Sequence, residues 1–242
     1  NSLSEPTLSI RPLLFQILLT FYFPLASYAQ SLGSAENPLR MMFVPSGDAQ
    51  VILKGGREIG QFLQKETGLH FKTSVATSYA AVIEAMGAGK VDVGWLATFS
   101  YVLAHDKYGV ELLLVVQRFG SPFYRGQIMV SADSGIKNLA GLKGKRFAFV
   151  DPASTSGHLY PKTLFMSQGF NPELFFKKSV FAGSHNAVVL SIYKGEVDGG
   201  AAYDGSRSAV AKTFPDIFRY KIFPCFPLKI KSPYRSQTDG TS

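Results

Sequence analysis

The chain has one cysteine, Cys225, in 242 residues, which excludes an internal disulfide framework and a cysteine-rich zinc site. No local pattern singles Cys225 out, so it reads as a small apolar packer rather than a nucleophile. The four histidines are scattered without the spacing of metal ligands. The sequence contains no GxxxxGK[ST] nucleotide loop and no G-x-S-x-G nucleophile elbow. After residue 29 no apolar run is long enough to span a bilayer. Acidic residues are fewer than basic ones, 17 against 25, for a net charge of +8. That excess is not laid out as a nucleic-acid footprint: five basic residues and one Asp fall between Arg219 and Ser242, and elsewhere Lys and Glu are scattered as on solvated helix faces. No nucleic-acid partner, metal or cofactor is expected.

With 46% hydrophobic residues the chain has the composition of a globular protein with a proper core. Its first segment differs in kind. After Arg11 comes the apolar run Pro12 to Ala26, followed by Ser27-Tyr28-Ala29, a small-x-small ending of the type that a signal peptidase cuts. Residues 1–29 therefore read as a signal peptide, cleaved near Ala29, and the mature protein as soluble and exported to the periplasm. A membrane anchor fits less well, because the run is short and holds Pro12 and Pro24. No cysteine follows the cleavage site to take a lipid. The first residue is Asn1 rather than methionine, so a longer natural N-terminus is expected.

An internal repeat organises the remainder. Shifted by 106 residues, Ser78 to Gly94 ("SYAAVIEAMGAGKVDVG") falls on Ser184 to Gly200 ("SHNAVVLSIYKGEVDGG"), and "RMMFVP" from Arg40 falls on "RFAFVD" from Arg146. Two βαβ units of unrelated origin would resemble each other in part, but either origin gives the same architecture. Each unit reads as strand, helix, strand, helix, short strand, which implies a mainly parallel sheet covered by helices. The segment "VELLLVVQRFGSPFYRGQIMVS" between them holds two β-rich runs around Gly120-Ser121-Pro122, as extended hinge segments would. The expected division is lobe 1 over 30–119, a hinge over 120–126, lobe 2 over 127–218 and a divergent tail over 219–242.

In such sheets ligands bind at the carboxyl ends of the strands. There the second unit places "VDPASTSGH": a strand end, then Ser154, Thr155 and Ser156 at the start of a helix, whose free amides and dipole favour an anion. Gly157 would let the backbone approach the anion closely. A single serine acting as an ordinary N-cap explains part of this cluster equally well. His185 at the next helix start can donate to an oxyanion, and Asp204, after Tyr203, can accept from a protonated oxygen or an amine. Across the cleft the repeat sets Tyr79 in the role of His185, with Trp95 and Tyr101 nearby. Taken singly, His185 could be a structural helix-end residue, Asp204 a cap and Trp95 a core aromatic.

The motifs "DPASTSGHLYP", "AGSHNAVVLSIYKGEVDGGAAYD" and "VDVGWLATFSYVLA" resemble those of the phosphate/phosphite/phosphonate-binding proteins of bacterial ABC importers, over about Leu39 to Phe218. The resemblance implies a type II periplasmic binding fold of two similar α/β lobes that closes on its ligand and delivers it to an inner-membrane permease driven by a separate ATPase. It implies a monomer that binds a phosphonate, phosphite or phosphate and does no chemistry. Ser154, Thr155, Ser156 and His185 would hold the oxyanion from one lobe and Tyr79 from the other. Asp204 would contact a ligand hydroxyl or amine, and Trp95, Tyr101 and Tyr203 would line the pocket.

After Phe218 the sequence departs from that pattern, and the tail reads as truncated or frame-shifted, with the C-terminal part of the first lobe missing and that lobe less stable. Two other functions fit parts of the sequence. The same fold could report its ligand to a signalling receptor, or a serine of the cluster could act as a hydrolase nucleophile with His158 or His185 as base, though no acid is placed to orient either histidine.

Overall fold

A computed structural model describes residues 31–117, 120, 121, 123–218 and 220–224. Residues 1–29, read above as a signal peptide, Cys225 and the rest of the tail lie outside these residues. The first lobe begins with β1 (Leu39–Phe43), α1 (Ala49–Thr67), β2 (Phe71–Val75), α2 (Tyr79–Gly87), β3 (Val93–Trp95) and α3 (Thr98–Tyr108). Its three strands are all parallel, in the order β2-β1-β3. The second lobe follows with β4 (Gly126–Ser131), β5 (Arg146–Phe149), a π-helical turn (Thr155–Leu159), α4 (Tyr160–Ser167), α5 (Pro172–Phe175), β6 (Lys178–Phe181), α6 (His185–Tyr193), β7 (Gly199–Tyr203) and β8 (Tyr220–Pro224). Its sheet runs β6-β5-β7-β4-β8, with β5 parallel to β6 and β7, and β4 antiparallel to β7 and β8. Among the described residues no helix is long and apolar enough to cross a membrane.

The elements follow from local chemistry. Asp48 opens α1 by accepting from the amides of Gln50 and Val51, and Gly68 closes it at φ 73°, a left-handed value that glycine adopts without strain. Ser78 and Ser184, one repeat apart, cap α2 and α6 in the same way, accepting from the amides of Ala81 and Ala187. The alternation of β5 feeds two cores: Phe147 and Phe149 join Phe165, Phe175 and Phe176 on one face, while Ala148 and the following Val150 join Val188 and Val189 on the other. Tyr79, Val82 and Ile83 of the first lobe belong to that second cluster, so the lobes share buried apolar surface.

The repeat has a polar signature. Arg40 gives its backbone amide, Nε and Nη2 to the carboxylate of Asp92, and Arg146 does the same toward Asp198. Each pair ties the start of one strand, β1 or β5, to the residue leading into its parallel neighbour, β3 or β7.

Two segments differ from expectation. Of the two β-rich runs around Gly120, only the second becomes a strand, β4. The first, through Leu113 to Val116, forms none, and Leu113 and Leu114 are 74% and 81% exposed. A strand needs a neighbouring edge to satisfy its amides and carbonyls, and no described strand lies beside this run. Conversely, the second sheet continues past Phe218: Tyr220–Pro224 pairs with β4, so a boundary at 218 would cut off its edge strand.

Hydrogen bonds from Arg40 and Arg146 hold the carboxyls of Asp92 and Asp198 below their ordinary pKa of 3.8, against the opposing effect of burial. Groups with depressed folded-state pKa values stabilise the fold above the unfolded value, and that contribution is lost as pH falls through the folded value. The urea midpoint of the wild type is therefore expected to fall more steeply with acidification below about pH 4 than that of an Asp92→Asn, Asp198→Asn variant. Parallel pH curves would contradict this role.

Candidate functional site

The loops at the carboxyl ends of β1, β3, β5 and β7 and the start of α2 and α6 meet between the lobes. The centre is the turn after β5. Ser154, Thr155 and Ser156 are 1%, 1% and 2% exposed. The chain enters its helix through a π turn, with the amide of Leu159 reaching the carbonyl of Ser154 at 3.0 Å. Such widened turns leave more room at a helix start than an α turn does, and the first amides there have no intrahelical acceptor. The hydroxyl oxygen of Ser154 accepts from the amide of Gly157 at 3.1 Å, which is ordinary capping. That of Thr155 accepts from the amide of Phe99, in the opposite lobe, at 2.8 Å. A hydroxyl that has accepted still has its own proton to donate.

His185 is 4% exposed. Its Nδ1 accepts from the backbone amide of Tyr203 at 3.3 Å, so in the neutral ring the proton sits on Nε2. Burial pushes its pKa down to about 3, which keeps the imidazole an uncharged donor. Tyr79 is 1% exposed. Burial, with smaller contributions from Asp151, Tyr124 and Tyr203, keeps its phenol protonated well above the usual range, although the nearby Ser154 hydroxyl opposes this. The cluster thus offers hydroxyl and N–H donors, all neutral. Among the described residues the buried polar side chains include neither Lys nor Arg, and Asp151 is the one buried acid. No described group of three or more His, Cys, Asp and Glu could hold a metal ion.

Ser154, Thr155, Ser156, His185 and Tyr79 are brought together. Tyr203 joins them, its ring edge-on to His185 at 4.8 Å between centroids. The other sequence-predicted residues are placed differently. Trp95 stacks on Phe43 at 5.1 Å and gives its N–H to Met41 Sδ. Phe43 in turn sits under α1, where a Cβ on Gly56 would come within 2.7 Å of it, so Trp95 belongs to the packing of the first lobe. Tyr101 lies within α3 against His105, at 5.8 Å. Asp204 is exposed, and its Oδ1 accepts from the amide of Arg125 at 3.4 Å, just beyond the end of the β4–β7 pairing. Gly157 has a packing reason of its own: a Cβ there would lie 2.3 Å from Val150.

Three residues were not singled out from sequence. Tyr124, in the segment leading into β4, acts electrostatically on both Tyr79 and Tyr160. Asp151 accepts from the amides of Ala153 and, across the lobes, Tyr79. Asn186 has a buried Oδ1 with no hydrogen-bond partner, facing Gly47 of the first lobe. Tyr124 and Asp151 sit in loops and Asn186 in the first turn of α6, where only the fold reveals their neighbours.

The depressed pKa of His185 gives a second pH test. The unfolded imidazole binds a proton near 6.5 and the folded one near 3, so its contribution to stability is complete above 6.5 and drains away between those values, by about 1.4 kcal/mol per pH unit. His185→Gln is expected to flatten unfolding free energy over that interval. An imidazole that titrates near 6.5 in the NMR spectrum of the folded protein would contradict the assignment.

Comparison with known proteins bears on the family and the fold. The family described as "ABC transporter, phosphonate, periplasmic substrate-binding protein" matches residues 41–219. The phosphate-import protein PhnD of Mycolicibacterium smegmatis is 34% identical over 169 residues, 64% of this chain and 51% of that protein. The phosphonates-binding periplasmic protein of Escherichia coli is 33% identical over 143 residues, 57% of this chain and 42% of that protein. The chain thus spans about half the length of these curated relatives. Among solved structures, a binding protein component of an ABC phosphonate transporter from Pseudomonas aeruginosa superposes with a TM-score of 0.71 at 24% identity, over 78% of this chain and 66% of that one. PhnD1 from Prochlorococcus marinus, in complex with methylphosphonate, gives 0.68 at 24%, over 76% and 71%. At these identities the likeness is one of fold, that of the two-lobed periplasmic binding proteins, while the match over residues 41–219 carries the assignment: the chain belongs to the phosphonate family of ABC-transporter periplasmic substrate-binding proteins.

Proposed function

We propose that this chain captures a phosphorus oxyanion, a phosphonate, phosphite or phosphate, between its two lobes in the periplasm and delivers it to the inner-membrane permease of an ABC importer. The observation that carries this reading is the joint burial of Ser154, Thr155, Ser156, His185 and Tyr79 at one strand-end cluster with no basic side chain among them. A tetrahedral anion has several acceptor oxygens and needs donors from more than one side. Three hydroxyls, the Nε2–H of His185 and the Tyr79 phenol supply them from both lobes. Neutral donors keep the anion bound by hydrogen bonds, each worth about 1.5–3 kcal/mol to a charged group, and leave little for salt to screen.

The arrangement favours binding over catalysis. In a serine hydrolase the base donates its second nitrogen to an orienting acid. Here Nδ1 of His185 accepts from a backbone amide instead, and Nδ1 of His158 lies 2.8 Å from the carbonyl of Pro152. For an acceptor toward a ligand's own hydroxyl or amine, the unpartnered Oδ1 of Asn186 is a candidate beside Asp204, whose Oδ1 takes the Arg125 amide at 3.4 Å and whose second carboxylate oxygen can still accept.

Calorimetric titration with phosphite, phosphate, methylphosphonate and 2-aminoethylphosphonate tests the proposal. At least one is expected to bind, with an affinity that changes little as salt is raised, and a Ser154→Ala, Thr155→Ala variant is expected to lose about a hundredfold. No binding heat from any of the four would overturn it. Asn186→Ala is expected to weaken 2-aminoethylphosphonate while leaving methylphosphonate unchanged; equal losses for both would assign Asn186 to the seam alone.

A further inference from the structure

Two helices of the first lobe have a first-turn amide bonded to an acceptor from the second. Helix α3 has Ala97 as its N-cap, with no side-chain acceptor of its own. The acceptor for its amide at Phe99 is Thr155 Oγ1, from across the cleft, at 2.8 Å. Helix α2 is capped by Ser78 at the amide of Ala81, and the amide of Tyr79 goes instead to Asp151 Oδ2, again from the second lobe, at 3.3 Å. Two more bonds cross the same seam: Ser100 Oγ donates to the carbonyl of Ala153 at 2.8 Å, and the amide of His185 donates to the carbonyl of Ser46 at 3.1 Å.

None of these bonds involves a ligand. Parting the lobes breaks all four and leaves three helix starts, those of α2, α3 and α6, with amides to be resolvated. Among the four, Asp151 is the one that brings charge. It is 8% exposed, and its other oxygen is anchored at 2.8 Å by the amide of Ala153 in its own turn, so the carboxylate is aimed at α2 before the lobes meet. A negative charge there is favoured by the positive end of the helix.

We infer that Asp151 is a lobe-closing latch, a positioning residue that caps α2 in trans and sets how much of the ligand-free protein is closed. The same turn thereby both offers hydroxyls to an anion and holds the opposite lobe over them. The inference concerns the closed state itself and does not depend on which ligand the site takes, although its effect on ligand release rests on the proposed function.

Amide hydrogen exchange of the ligand-free protein, read residue by residue by NMR, tests it. The amides of Tyr79, Phe99 and His185 report the seam, and those of Arg40 and Arg146, bonded within their own lobes to Asp92 and Asp198, report the body of each lobe. Asp151→Asn is expected to speed exchange at all three seam amides together, by about tenfold, with the Arg40 and Arg146 amides unchanged. Ser100→Ala, which removes a seam bond without touching Asp151, is expected to speed the Tyr79 amide in the same way. Acceleration at Tyr79 alone would reduce Asp151 to a local cap and overturn the latch. Equal acceleration at Arg40 and Arg146 would also overturn it, in favour of a general loss of stability. In the liganded protein, Asp151→Asn is expected to raise the dissociation rate of methylphosphonate; if methylphosphonate does not bind at all, the exchange pattern still decides the latch.

Discussion

The hydroxyl of Thr155 accepts the amide of Phe99 from the opposite lobe and keeps its own proton to give, and the cleft is organised around that double use. A threonine that only lined a pocket would be free to rotate away from a ligand. One that only bridged the lobes would spend its hydroxyl on them. Because the bond to Phe99 fixes the oxygen, the remaining proton is directed by the lobe contact. The π turn that places Thr155 also brings Ser154 and Ser156 into the same buried space, and Gly157 allows the turn to lie against Val150 where a Cβ would collide at 2.3 Å. Moving any of these shifts the others, since they are successive residues of one turn.

Neutrality follows from the same burial. A lysine or arginine enclosed here without ligand would be an unpaired buried charge, costly to the empty protein. Hydroxyls, a phenol and an imidazole held as Nε2–H carry far less of that cost. Burial acts on each in the same direction, toward the uncharged form: it lowers the pKa of His185 and raises that of Tyr79. The empty site is therefore tolerable, and under the proposed function an anion there would gain charge-assisted hydrogen bonds. Asp151 is the exception, an acid buried beside the cluster, and its two amide partners account for it.

Much of this was legible in the sequence, for identifiable reasons. The shift of 106 residues that aligns Ser78 with Ser184 and Tyr79 with His185 is borne out by matching caps and by matching Arg40–Asp92 and Arg146–Asp198 pairs. The hydroxyl run after β5 stood out because three donors at a helix start exceed what a cap needs. What was misjudged turns on direction. Period-2 alternation says that Trp95 and its neighbours face opposite ways, yet not which way faces the cleft; its parallel register sets it beside Phe43, on which it stacks. Asp204 stands at the expected sheet edge, with one carboxylate oxygen taking the Arg125 amide at 3.4 Å, a contact that no sequence pattern announces. Asp151, Tyr124 and Asn186 could not be found by pattern, because their partners are 72 residues away for Asp151 or come from the other lobe. The exposed run at Leu113 to Val116 read as a strand on composition alone, and strand formation depends on a neighbouring edge that composition does not record.

A crystal structure of the mature protein with methylphosphonate bound is the most direct measurement of the central claim. The account predicts phosphonate oxygens within about 3.2 Å of Ser154, Thr155 and Ser156, of Nε2 of His185 and of the Tyr79 hydroxyl, with no lysine or arginine in contact. A ligand held by a basic side chain, or seated away from the turn after β5, would contradict it.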